Sequence, residues 1–234
     1  MKKISVIVLV IVSLAISGYA EAAKPKHRTR NANRVGPYGS AVVGFSTYTG
    51  DQGATEEILL GYFDPATANL GVSTDDSDVG YGATFGYRFN RYMAFELTLA
   101  QYGTLSSKAT GDLDDGTGGT VPGSMELTFT VAGPVFSAIG ILPIGEKFEF
   151  YGRLGMLFAA SQREITQRQD GQTIGFGNLK GDSSELVLGA GFAWNFNQVY
   201  AMRIEYQKID EIGDPARTGT EDLTQTSLAF VIRF

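Results

Sequence analysis

From residue 80 to the C-terminus, apolar and polar side chains alternate with a period of two, and no stretch repeats at helical spacing. In segment 80–89, Tyr81, Ala83, Phe85, Tyr87 and Phe89 share one face, and Gly82, Thr84, Gly86 and Arg88 share the other. Segment 93–102 sets Phe95, Leu97 and Leu99 against Ala94, Glu96, Thr98 and Ala100. In 148–160, Phe148, Phe150, Leu154, Met156 and Phe158 oppose Glu149, Tyr151, Arg153 and Gly155. In 185–196, Leu186, Leu188, Phe192, Trp194 and Phe196 oppose Glu185, Val187, Gly189, Gly191 and Asn195. Segment 199–207 has Tyr200, Met202, Ile204 and Tyr206 against Arg203 and Glu205, and 223–234 closes with Leu228, Phe230, Ile232 and Phe234 against Ala229, Val231 and Arg233. With 38–48 and a segment within 126–142, the pattern predicts eight strands. Pro134 removes a ladder donor in mid-strand, so a bulge or a displaced fourth strand is expected there.

The predicted connections alternate in length. Three are tight, at 90–92, 143–147 and 197–198, and four are long, at about 49–79, 103–125, 161–184 and 208–222. Antiparallel strands linked in this way carry all the long loops at one end, the layout of an outer-membrane barrel. Tilted strands of about ten residues also match the thickness of the hydrocarbon layer. The alternation does not say which face meets solvent, and a soluble periplasmic binding barrel with its apolar face inward is the competing fold. The polar phase is mostly Gly, Ala and Thr with isolated Arg and Glu, while Lys108, Lys147, Lys180 and Lys208 all fall in predicted loops or turns. A water-facing surface is normally rich in Lys and Glu, whereas small side chains suit the narrow lumen of an eight-stranded barrel. The aromatic phase gathers near strand ends, as an interfacial girdle requires. The predicted fold is therefore all-β, an eight-stranded antiparallel up-and-down transmembrane β-barrel.

Targeting fits that location. Lys2 and Lys3 precede an apolar run from Ile4 to Ile16, and small residues follow, so 1–22 reads as a signal peptide. Residues 23–35 form a basic N-terminal periplasmic segment and 36–234 the barrel. Residues 24–34 hold five Lys or Arg and no acid, whereas 35–234 hold 12 basic and 24 acidic residues. The basic segment is expected to be a solvated leader, with attachment to anionic head groups the sharper reading. An exported chain is not expected to meet nucleic acid.

With no Cys and a single His, His27 in the basic segment, the chain has no thiol chemistry and no site needing two imidazoles. No catalytic, cofactor or metal residues are predicted. DLDDG at 112–116 lacks the spacing and the closing Glu of a calcium loop. The charges predicted to face the lumen are Arg88, Glu96, Glu149, Arg153, Glu185, Arg203, Glu205 and Arg233. Unpaired charges in a narrow lumen are costly, so an Arg/Glu network that plugs the barrel is expected, with a gated ion path as the alternative. The predicted external loops are acidic, the first holding Asp51, Glu56, Glu57, Asp64, Asp75, Asp76 and Asp78 without a Lys or Arg.

YGATFGYRFNRYMAFEL, KFEFYGRLGMLFA, GAGFAWNF, AMRIEYQKID and the terminal SLAFVIRF together resemble the OmpA-like β-barrel domain family of bacterial outer-membrane proteins. The resemblance covers roughly 36–234, and the chain differs from full-length OmpA in ending at the barrel, with no peptidoglycan-binding domain after it. It implies an assembly signal at Leu228, Phe230, Ile232 and Phe234, read by the barrel assembly machinery. Outer-membrane lipid and lipopolysaccharide are the expected partners, and the exposure of the long loops makes an extracellular ligand for them a further expectation. Enzymes built on such barrels use a His near the external rim, a position that His27 does not reach. The expected role is structural or surface-interacting; a narrow channel or transporter for small solutes is the alternative.

Overall fold

The computed structural model describes residues 35–50, 63, 70–114 and 119–234. The expected leader, most of the basic segment and much of the first external loop lie outside these residues. The described residues form nine strands: β1 (Gly36–Thr49), β2 (Gly71–Asp75), β3 (Ser77–Arg88), β4 (Met93–Asp114), β5 (Thr120–Ile144), β6 (Phe148–Gln169), β7 (Gln172–Asn195), β8 (Tyr200–Ile212) and β9 (Glu221–Arg233). All pair antiparallel with their neighbours, and β1 pairs with both β3 and β9, so the sheet closes on itself. The Phe234 N–H donates to the Pro37 carbonyl at 3.1 Å, extending that seam to its end. β2 pairs with β4 at Asp75↔Ser106 and β3 at Tyr81↔Gln101, so β2 is the outer continuation of β3 and the ring has eight walls. The break between them faces a register shift in β4 between Gln101 and Thr104. Gly103 takes φ +84° there, and the Asp78 carboxylate accepts from the Thr104 N–H at 2.9 Å, satisfying a donor in the interrupted ladder.

The tight turns follow from local chemistry. Asn90 Oδ1 accepts from the Tyr92 N–H at 2.7 Å, and Asn197 Oδ1 accepts from Val199 and Tyr200, both at 2.8 Å. Two of the four predicted long loops, 103–125 and 161–184, are largely strand. Residues 161–184 form a hairpin whose turn is Asp170-Gly171, with φ of 48° and 74°, as a type I′ turn demands. The same extension carries Lys108, Lys180 and Lys208 into β4, β7 and β8, contrary to the expectation that lysines avoid strands; Lys147 is in a turn.

The reason is an inversion of polarity along each long strand. Outward positions of β6 run Phe148, Phe150, Leu154, Met156 and Phe158, then change to Gln162, Glu164, Thr166 and Arg168. Inward positions change the other way, from Glu149 and Arg153 to Leu157 and Ile165. In β5, outward Phe136, Leu142 and Ile144 give way to Glu126, Thr128 and Thr130, above inward Met125, Leu127, Phe129 and Val131. One half of the barrel is thus apolar outside, and the other half is built like a soluble barrel. The apolar band is about ten residues tall, the height that hydrocarbon requires of a tilted strand. Within it Phe85 is 57% and Ile204 52% exposed, while Arg203 and Glu96 are 7% and 4% exposed inside. That arrangement contradicts a barrel with an apolar core in its spanning half.

The expected bulge at Pro134 is absent. The β5–β6 ladder omits Gly133 and Pro134 and resumes at Val135↔Leu157 in the register it had at Ala132↔Ala160. Pro122 accepts from Asp170 on the β6 side and Ile141 donates to Tyr92 on the β4 side, so the alternation puts the missing donor of Pro134 in that gap. Leu154→Arg, in the middle of the apolar band, is expected to lower stability in lipid vesicles by about 2–4 kcal/mol. Thr128→Arg, outward but above the band, is expected to change it by less than about 1 kcal/mol. Urea unfolding of the two refolded variants checks the pair.

Candidate functional site, the charged layer of the lumen

Three strands bring a compact charge cluster to the barrel axis. Glu96 on β4 receives Arg203 Nη1 from β8 at 2.5 Å and Arg153 Nη2 from β6 at 2.7 Å. Arg153 Nε reaches Glu205 Oε1 at 2.6 Å, and its Nη1 donates to Ser137 Oγ on β5 at 3.0 Å. Two guanidinium groups thus face two carboxylates, and the cluster is neutral. Two tyrosines complete it: Tyr38 Oη donates to Glu96 Oε1 at 2.5 Å and Tyr151 Oη to Glu205 Oε2 at 2.8 Å. The Arg203 guanidinium carbon lies 5.1 Å from the centroids of both tyrosine rings. Cation–π attraction therefore adds to the ion pairs where water is excluded.

Glycine makes room for this arrangement. Tyr38 is paired across the sheet with Gly86, and Tyr151 with Gly191. A Cβ at either glycine would overlap the tyrosine ring laid over it. The flat rings then point their hydroxyls along the axis toward Glu96 and Glu205.

Toward the rim with the tight turns, Arg88 Nη1 contacts both oxygens of Glu149 at 3.0 and 3.1 Å, and Arg88 also donates to the Asn90 and Arg91 carbonyls. This pair ties the first tight turn to β6. Arg233 Nη2 donates to Asn195 Oδ1 at 2.6 Å, and Asn195 Nδ2 donates to the Lys147 carbonyl. Glu185 lies in the polar half, half-buried, with no ion pair among the described residues. The structure therefore brings together Glu96, Arg153, Arg203 and Glu205, sets Arg88 with Glu149 apart from them, and leaves Arg233 and Glu185 outside both groups.

Buried apolar clusters flank the charged layer on both sides. Ala94, Ile139, Ile141, Ala193, Ala201 and Val231 pack below it with the two tyrosines. Above it lie Tyr102, Phe129, Val135, Leu157, Ile209, Leu223 and their neighbours. Higher still, Arg163 pairs with Glu221 at 3.3 Å with its guanidinium carbon 5.4 Å from the Phe129 centroid. The β8–β9 loop folds inward at this level, where Thr218 Oγ1 bonds Ser161 Oγ at 2.9 Å and the Asp214 N–H donates to Thr218 Oγ1. Between the layers is a cavity of about 40 Å³ lined in part by Glu96, Arg153, Gln207 and Gln225. Tyr102 and Arg203 line it too, and Tyr102 Oη and Arg203 Nε are buried without a hydrogen-bond partner among the described residues. At about 10–15 Å³ per site it suits a few ordered waters.

Strand phase marks these charges as lumen-facing but does not say which of them pair. It does not reveal the roles of Tyr38, Tyr151, Arg163 and Glu221. Arg163 carries no such signal, because its strand inverts its polarity before that position. Tyr151 stood in the polar phase opposite Gly191, the signal that could have revealed its place. Glu96→Ala would strand two buried guanidinium groups and is expected to cost about 3–5 kcal/mol. Tyr38→Phe removes one hydrogen bond to a charged group and is expected to cost about 1.5–3 kcal/mol. Urea titrations of the refolded proteins give both differences.

The profile of the OmpA-like transmembrane domain matches residues 38–234. The chain is 30% identical over 146 residues to outer membrane protein A of Yersinia pseudotuberculosis, covering 62% of this chain and 37% of that protein. It is 27% identical over 230 residues to outer membrane protein A of Serratia marcescens, covering 96% and 55% respectively. The chain thus spans roughly half, or less, of the length of these relatives. Among solved structures it is similar to the outer membrane protein OprG of Pseudomonas aeruginosa, with 17% identity, a TM-score of 0.43, and 88% of this chain and 100% of that chain covered. With the apolar band on the outside of a closed eight-walled ring and the family profile spanning nearly all of it, the chain belongs to the OmpA-like transmembrane domain family of bacterial outer-membrane β-barrels.

Proposed function

We propose that this protein is a non-catalytic, non-conducting anchor in the outer membrane that presents its outer strands for surface interaction. The observation that carries this reading is the neutral Glu96–Arg153–Arg203–Glu205 cluster held between two apolar layers. An ion crossing the lumen would have to part buried pairs and then enter packed side chains, and both steps are costly. Outer-membrane lipid and lipopolysaccharide are its surroundings in this reading, and an extracellular ligand engages the polar half. The barrel assembly machinery is the partner during biogenesis, reading Leu228, Phe230, Ile232 and Phe234. Three of these, Leu228, Phe230 and Phe234, are exposed large apolar residues, which fits a signal carried on the outer face of the last strand.

Purified protein refolded into planar bilayers is expected to give no stable conductance. A selective conductance in the wild type that Arg153→Ala or Glu96→Ala abolishes would instead establish a transport role. Deleting Phe234 is expected to leave export intact and to reduce the inserted, heat-modifiable form. Equal amounts of that form with and without Phe234 would remove the assembly assignment.

A further inference from the structure

β7 is paired along its whole length with β6, but with β8 only from Val187 to Asn195. Beyond Ile209, β8 turns inward, its register shifts before Ile212, and the following loop fills the mouth. The outer half of β7, residues 172–186, therefore has no ladder partner on its second side among the described residues. The Asn195 N–H points to β6, donating to Lys147, and the Phe196 N–H points to β8, donating to Tyr200. No register shift occurs between Trp194 and Gly175, so strand alternation aims the N–H and C=O groups of Phe176, Asn178, Lys180, Asp182 and Ser184 at the open side. Proteins generally blunt such edges. This one instead exposes Ile174, Phe176 (66%) and Leu179. Lysine and proline are the usual guards, and the segment has one Lys and no Pro.

The charges around the inner end of the edge are predominantly acidic, Lys180 being the one cation on the open segment itself. Asp182, Glu185 and Glu211 have no ion-pair partner among the described residues, whereas Lys208 and Arg217 are engaged by Asp210 and Asp214. We propose that the open edge of β7 receives an extended segment of a partner protein, which adds as an antiparallel strand in the place that β8 leaves. The segment alternates apolar residues, to meet Ile174 and Phe176, and carries basic residues at its N-terminal end, which lies nearest the membrane beside Asp182, Glu185 and Glu211. Main-chain bonds supply affinity in this mode, and side-chain pockets and charge supply selectivity. The inference rests on the surface-interaction reading above and names its surface.

The test uses the full protein refolded in lipid nanodiscs and a synthetic peptide of two lysines followed by alternating threonine and valine. Binding is expected to slow hydrogen exchange about tenfold or more at Phe176, Asn178, Lys180 and Asp182, with little change at Gly177 and Leu179, which already bond to β6. Asn178→Pro removes one open-edge donor without touching the β6 ladder and is expected to weaken binding about tenfold while leaving heat-modifiable mobility unchanged. Asp182→Lys with Glu185→Lys should weaken the lysine peptide and strengthen a glutamate-headed one. Unchanged exchange at those four amides, or equal affinity of the wild type and both variants, would overturn the proposal. Conductance is recorded on the same samples. A conducting barrel that protects the edge amides overturns the anchor reading alone, and a sealed barrel that leaves them unprotected overturns the strand addition alone.

Discussion

In hydrocarbon, a backbone N–H or C=O without a partner has no water to turn to, and this requirement organises the whole molecule. Where the strands cross lipid, the walls pair on both sides up to the outer edge of the apolar band, and the seam between β1 and β9 is continuous from Tyr38↔Arg233 to Thr49↔Asp222. Above the apolar band, water relaxes the requirement and irregularity begins. The shift at Gly103, the break between β2 and β3, the departure of β8 and the open side of β7 all fall there. Pro134 shows how narrow the tolerance is within or near the band: the ladder opens by two residues and recovers its register.

The same boundary explains the two cores. In the spanning half, lipid takes the large apolar side chains, and the interior is left to small residues, flat tyrosines and a balanced set of charges. In the outer half, water takes the polar side chains and the interior becomes an ordinary apolar core around Phe129, Leu157 and Leu223. The charged layer sits beneath this second core, which keeps bulk water from competing for Glu96 and Arg203. Neutrality of the cluster and exclusion of water therefore support one another.

This inversion also sets what could be read from the sequence. The spanning strands were legible because each keeps one apolar phase over about ten residues, as lipid demands. The outer strands were not, because their apolar residues move to the other phase: Phe158 points out and Ile165 points in along one unbroken strand. A search for one consistent face stops at that crossing and reports a loop. The Asp170-Gly171 pair, flanked by residues that match across the hairpin, was the available signal against that reading. For the site, strand phase put the acidic and basic residues inside, but pairing depends on shear and side-chain length across the ring, which alternation does not encode. The tyrosine-over-glycine contacts depend on register between distant segments, such as Tyr38 with Gly86, and no local pattern carries that.

The seam has a topological consequence. Because the Phe234 amide meets the Pro37 carbonyl, the two strand ends lie side by side on the rim of tight turns, and a short linker could join them without disturbing the ring. The two-residue turn at Asp170-Gly171 stands at the opposite rim, in water, bonded to β5 through the Asp170 N–H on the Pro122 carbonyl. A circularly permuted chain opened at that turn would keep all eight walls and exchange one covalent connection for another. Chain order is thus separable from architecture here, and what the ring demands is that its first and last walls meet, whichever segments those are.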